Sequence, residues 1–172
     1  LKRQYVARGK YGVKVNATVT ELERNRVAIV FNVVEGETSK IREINIIGNQ
    51  AFSEKKLKGL MQLGTPNWIS WFTKNDQYSK QKLSADLEIL RSFYLDAGYL
   101  EFSIDSTQVS ITPDKEHIYI TINLSEGAKY TVSDIKVSGP ENILSHVETR
   151  KLVKVQAGDV FSRKELTDSS KK

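Results

Sequence analysis

The sequence contains no cysteine. Disulfides, thiolate metal sites and cysteine nucleophiles are therefore excluded, while the compartment stays open, since such a chain suits the cytoplasm and the periplasm equally. Histidine is scarce: His117 and His146 are the only two, and no metal-ligand spacing relates them. No glycine-rich phosphate loop, Gly-x-Ser-x-Gly or His-Glu-x-x-His string occurs, so the sequence offers no catalytic residue, no metal ligand set and no cofactor site. Long apolar runs are also missing. The longest is Val27-Ala-Ile-Val-Phe31, against roughly 20 residues for a membrane-spanning helix. No signal peptide is seen, and the chain begins at Leu1 rather than Met, as a mature or trimmed segment would. Charge of one sign is lacking in the middle. Residues 1–36 carry 7 basic and 3 acidic groups, 37–127 carry 10 and 12, and 128–172 carry 9 and 6. The net charge of +5 thus sits toward the ends, without the basic stripe and stacking aromatics of a nucleic-acid binder. It reads as a solubilising surface, with no nucleic acid expected as partner. A basic α+β nucleic-acid-binding module remains the alternative that this charge permits, and strong loss of binding with salt would mark it.

What is present is a repeat. Leu1-Lys-Arg-Gln-Tyr-Val-Ala-Arg-Gly9 matches Leu90-Arg-Ser-Phe-Tyr-Leu-Asp-Ala-Gly98, at an offset of 89. Val27-Ala-Ile-Val-Phe-Asn-Val-Val-Glu-Gly36 matches Ile118-Tyr-Ile-Thr-Ile-Asn-Leu-Ser-Glu-Gly127, and Ile44-Asn-Ile-Ile-Gly48 matches Ile135-Lys-Val-Ser-Gly139, both at 91. Tyr78-Ser-Lys-Gln-Lys-Leu83 matches Phe161-Ser-Arg-Lys-Glu-Leu166 at 83. The 172 residues therefore divide into the C-terminal half of one module (1–36), a complete module (37–127) and the N-terminal half of another (128–172).

Each unit reads as strand, helix, helix, strand, strand. In the complete unit, residues 41–47 form the first strand, closed by Gly48 and Asn49. Ser53 is placed as an N-cap, with Phe52 and Leu57 at the spacing of a hydrophobic staple. Leu57, Leu60 and Met61 share a helix face, and Gly64 is expected to stop that helix. A second helix starts near Ser79, carries Leu83, Leu87, Leu90 and Tyr94 on one stripe, and ends at Gly98. Then Leu100, Phe102 and Ile104 alternate with polar residues, after which the apolar positions shift to Val109 and Ile111. A slip of one residue turns every later side chain over, so a bulge is expected near Ser106 and Thr107. Pro113, Asp114 and Lys115 make a turn, and Ile118, Ile120, Ile122 and Leu124 line the core face of the last strand. His117 and the acids Asp105, Asp114 and Glu116 read as turn residues rather than acid–base groups. The product is an α+β fold, a three-stranded sheet covered on one face by two helices.

The strings Ile44-Asn-Ile-Ile-Gly-Asn-Gln-Ala-Phe52, Tyr94-Leu-Asp-Ala-Gly-Tyr99 and Asp105-Ser-Thr-Gln-Val-Ser-Ile-Thr-Pro-Asp-Lys115 resemble POTRA repeats of outer-membrane barrel assembly, as does the Glu126-Gly127 junction followed by Tyr130. The resemblance covers the whole chain and places part of a second repeat, all of a third and part of a fourth in it. Gly139-Pro140 departs from the Gly48-Asn49 pattern, so the following helix is expected to enter differently. The resemblance implies tandem βααββ modules with mixed sheets at the periplasmic face of the outer membrane, tethered through a C-terminal barrel outside this chain. It implies a non-enzymatic scaffold whose partners are unfolded outer-membrane protein substrates and accessory lipoproteins. A POTRA module of a two-partner secretion transporter would share the fold.

The resemblance also places the hairpin strand over 100–112 at the sheet edge. Edge backbone pairs with any extended chain, which suits many unfolded clients. The expected strand-addition edge is Phe102, Ser103, Ile104, Asp105, Ser106, Thr107, Gln108, Val109 and Ser110; the competing reading is that the bulge protects this edge. A second candidate is the loop over 63–78, with Trp68, Trp71 and Phe72 as an aromatic contact, or as rings packed over their own helices. By the offsets, Leu1 aligns with Leu90 and Lys172 with position 89. Half-modules of two molecules can then complement each other, or else remain frayed, exposing Val13, Val15, Ala17 and Val19.

Overall fold

A computed structural model of the chain describes residues 1–67, 70–136, 150 and 153–170, with the Trp71 side chain left out. The middle unit holds β3 (Lys40–Ile47), α2 (Glu54–Leu60), a single turn α3 (Ser70–Thr73), α4 (Lys80–Asp96), β4 (Ser103–Ile111) and β5 (His117–Ser125). Before it come α1 (Lys2–Ala7), β1 (Lys14–Leu22) and β2 (Arg26–Val34), and after it α5 (Arg163–Ser170). No helix among the described residues is long and apolar enough to cross a membrane.

The middle sheet has the order β3-β5-β4, with β3 parallel and β4 antiparallel to β5. The alternation in β5 decides this centre: Ile118, Ile120 and Ile122 are fully buried and Leu124 nearly so, as a strand with neighbours on both sides and helices on one face requires. Against them pack Leu57 of α2 and Leu83, Leu90 and Tyr94 of α4. Ser53 caps α2 by accepting the Lys56 N–H at 3.3 Å, and Ser79 stands at the N-cap of α4. Gly64 does not stop α2. The helix ends at Leu60 because Met61 turns extended and the next two N–H groups, of Gln62 and Leu63, bond to Asp86 of α4 at 2.7 and 2.9 Å.

The bulge falls at Asp105, one residue before the expected pair: Ile104 faces Leu124 and Ser106 faces Asn123. The Asp105 carboxylate accepts hydrogen bonds from Ser103 Oγ at 2.7 Å and Ser125 Oγ at 2.6 Å, which pins the extra residue and holds its pKa below the usual carboxylate range. Leu100 lies before the strand and is exposed, so the buried alternation begins only at Phe102.

In the first segment β1 and β2 form an antiparallel hairpin whose Val19, Ile29 and Phe31 are each more than half exposed. Val13, expected among the exposed positions, instead precedes β1 and is buried. The expected strand around Ile135 to Gly139 falls mostly outside the described residues, and Ile135 and Lys136 show no regular structure.

The middle unit meets its neighbours through two joints with the same bonding. The Gly9 carbonyl accepts the Ser39 N–H at 2.9 Å, and the Ser39 carbonyl accepts the Tyr78 N–H at 3.3 Å. At the second joint the Gly98 carbonyl accepts the Tyr130 N–H at 2.8 Å, and the Tyr130 carbonyl accepts the Phe161 N–H at 3.1 Å. Both glycines sit at positive φ, +81° and +97°. A Cβ on Gly9 would run into the Tyr78 carbonyl oxygen, and one on Gly98 would lie 2.8 Å from Val160 Cγ1. Glycine is required at both by backbone conformation and by close approach.

Candidate functional site

A three-stranded sheet has two edges, and here they differ. The outer edge of β3 is occupied at both ends. Ile41 N–H donates to the Asp76 carbonyl at 2.7 Å, Lys40 bridges to Gln77, and Ile46 N–H donates to Glu54 Oε1 at 3.0 Å. Along β4, by contrast, no backbone group of Ser103–Ile111 is bonded outside the β4–β5 ladder among the described residues. Thr112 N–H donates to the His117 carbonyl at 3.0 Å. Backbone direction alternates along a strand, so Ser110, Gln108 and Ser106 also turn toward β5, while Thr107, Val109 and Ile111 present N–H and C=O outward.

The two faces beside this edge are chemically distinct. Ser106, Gln108 and Ser110 stand opposite Asn123, Thr121 and Tyr119 on the open face, where Asn123 Nδ2 donates to Ser106 Oγ at 2.8 Å. Thr107, Val109 and Ile111 stand opposite Ile122, Ile120 and Ile118 on the helix-covered face. Those three isoleucines are fully buried, yet Val109 and Ile111 are each 37% exposed. The apolar layer therefore runs out to the edge and stops unfinished.

Of the residues expected at the edge, Ser103, Ile104, Asp105, Ser106, Thr107, Gln108, Val109 and Ser110 lie in β4. Phe102 does not: it is buried just before the strand, stacked on Tyr94 with ring centroids 4.2 Å apart. Ser103 and Asp105 are tied up by the bulge, so the regular stretch of edge runs from Ser106 to Ile111.

In the aromatic loop, Trp68 and the Trp71 side chain lie outside what is described, and Phe72 is 75% exposed. The base of that loop is firmly anchored. Gly64 N–H donates to the Asn75 carbonyl at 3.0 Å, and Asp86, fully buried, holds Gln62 and Leu63. Burial pushes the Asp86 carboxyl above its ordinary pKa, and the two N–H donors and Lys82 pull it back. An acid close to Lys80 and Lys82 in the first turns of a helix reads as solvated, so Asp86 escaped the sequence reading. Its one available signal was its place a turn from Leu83 and Leu90 on the buried stripe.

Asp114, Glu116 and His117 could bring three ligand atoms within 4.8 Å of one another. Asp114, however, accepts the Thr112 hydroxyl at 2.5 Å and the Glu116 N–H at 2.9 Å, and these bonds hold its pKa low. The group closes the β4–β5 turn.

Comparison with known proteins bears on the family and the fold. The family model for POTRA, the surface antigen variable number repeat, matches residues 39–127. The outer membrane protein assembly factor BamA of Neisseria meningitidis serogroup B is 33% identical over 167 residues, which is 97% of this chain and 21% of that protein. BamA of Buchnera aphidicola is 39% identical over 119 residues, 68% of this chain and 19% of that protein. The chain thus spans about a fifth of the length of these relatives. The crystal structure of Haemophilus influenzae BamA POTRA3-5 superposes with a TM-score of 0.58 at 16% identity, covering 96% of this chain and 62% of that one. At that identity the likeness speaks for the fold.

Proposed function

The chain belongs to the POTRA family, and from that premise we propose that it is a non-enzymatic, periplasmic part of an outer-membrane barrel-assembly arm that docks extended polypeptide along β4. Its modules would span 1–36, 37–127 and 128–172, with the membrane reached through other parts of a longer protein. Its partners would be unfolded outer-membrane protein segments and accessory lipoproteins. The observation that carries this reading is the contrast between edges: β3 is blocked at both ends by Asp76, Gln77 and Glu54, whereas β4 offers three consecutive outward-facing residues, Thr107, Val109 and Ile111.

Client chemistry follows from the faces. A strand added to β4 places alternate side chains beside Val109 and Ile111, where they complete the apolar layer, and the others beside Gln108 and Ser110, in water. A transmembrane β-strand carries that dyad pattern of apolar and polar residues. Main-chain bonds supply affinity without reading sequence. The bulge at Asp105 confines pairing to the stretch after it, so it shields one end of the edge and leaves the other usable.

The test is Val109→Pro. Proline removes an N–H that points away from β5, so the internal ladder survives, while a docked strand loses a central hydrogen bond and meets the ring. Binding of a ten-residue peptide of alternating apolar and polar residues, followed by fluorescence anisotropy, is expected to weaken at least tenfold. The thermal midpoint should change by only a few degrees. Unchanged affinity in a folded Val109→Pro chain would remove β4 as the docking strand.

A further inference from the structure

We propose that the groove at the first joint, between α1 and the start of α4, is a second docking site, which takes a carboxylate-bearing apolar peptide segment of a partner protein. Val6, Ala7, Tyr11 and Tyr78 give this groove of about 540 Å³ an apolar floor. Lys2, Arg3 and Lys80 make its polar rim, and no acid lines it. Among the described residues none of these three cations forms an ion pair.

The second joint shows what the first one lacks. There the corresponding cleft is lined by Ser92, Asp96, Arg163, Lys164, Thr167 and Asp168. Asp96 accepts the Lys164 N–H of α5 at 2.8 Å, and Arg163 reaches Ser92 Oγ at 3.4 Å. The repeat offsets of 89 and 83 put Ala7 in the place of Asp96, Arg3 in that of Ser92, Lys80 in that of Arg163 and Gln81 in that of Lys164. The first joint therefore gathers cations around the position where its counterpart holds a carboxylate, and alanine leaves that position open. A carboxylate from outside would relieve the like-charge crowding. The apolar floor asks for side chains flanking that carboxylate, which a peptide has and an inorganic phosphate does not. This surface is separate from β4 and does not depend on strand addition.

The experiment uses the whole chain and a fluorescein-labelled peptide that lacks the alternation suited to β4, acetyl-Leu-Phe-Glu-Asp-Phe-Leu, with its Gln/Asn isostere as control. The acidic peptide is expected to bind at least ten times more tightly than the isostere. Ala7→Asp, which restores the carboxylate from within, should reduce that affinity at least tenfold. So should the pair Arg3→Glu and Lys80→Glu, with folding of each variant checked by circular dichroism. Val109→Pro should leave it unchanged, which separates this site from the strand edge. Equal binding of the two peptides, indifference to both sets of substitutions, or loss in Val109→Pro would overturn the proposal. So would binding of anionic lipid vesicles in place of the peptide.

Discussion

Replacing Tyr94 with alanine is expected to lower the unfolding free energy of the middle module by about 4 kcal/mol, the cost of emptying a fully buried aromatic site. The ring is fully buried. It stacks on Phe102 and makes edge contacts with Phe52, Phe93 and Tyr99 at 5.3, 5.8 and 5.7 Å between centroids. Its hydroxyl donates to Glu126 Oε1 at 2.8 Å. The Glu126 carboxylate in turn accepts the Gln50 and Ala51 N–H groups, each at 3.0 Å. One side chain thus ties the end of α4 to the β3–α2 turn and to the end of β5. Burial first, and the Glu126 carboxylate second, push the Tyr94 pKa far up, so the hydroxyl stays a donor. Tyr94→Phe keeps the ring and should lose only about 1 kcal/mol, the net worth of one hydrogen bond. Urea midpoints of the two variants check the division. Equal losses would mean that the hydroxyl, not the ring, holds the joint together. Because Phe102 leads directly into β4, the alanine variant should also bind strand peptides more weakly.

Asp86→Ala carries the next largest expectation, about 3 kcal/mol, because it orphans two backbone donors in a sparsely solvated place. Asp86→Asn should do little better, since its amide turns a donor toward one of the same N–H groups. The raised pKa fixes the sign of the pH effect. The native protein holds this proton more tightly than the unfolded chain, so the titration favours folding below the ordinary aspartate pKa. That advantage is lost as pH rises through the higher native value. The gap between wild type and Asp86→Ala should therefore narrow over that window in urea titrations run at successive pH values. A gap that widened with pH would show the ionised carboxylate to be the favoured native form. The same substitution should loosen the loop that displays Phe72.

Much of this architecture was legible from parity and offset. Alternation in residues 118–124 gave the core face of β5, and the shift from Ile104 to Val109 betrayed a bulge to within one residue. The position of the extra residue depended on two serine hydroxyls meeting Asp105 across strands, which no local pattern displays. Gly64 misled because glycine commonly follows a helix, whereas α2 is ended by a carboxylate 23 residues away from Leu63. Strand order was not in the periodicity at all; it came with the family resemblance. Nor could the sequence tell that one sheet edge is blocked at both ends, since Glu54 and Asp76 reach β3 through contacts made only in the fold. The joints were visible as repeated glycines. The exchange of Asp96 for Ala7 gained meaning only when the Lys164 N–H was seen bonded to that carboxylate.

The direct test of the docking edge is amide hydrogen exchange along β4, followed by NMR with and without the alternating ten-residue peptide. The N–H groups of Thr107, Val109 and Ile111 should become protected on binding. Those of Ser106, Gln108 and Ser110, already bonded to β5, should change little. Protection confined to the loop over 63–78, or none in β4 at saturating peptide, would contradict docking by strand addition.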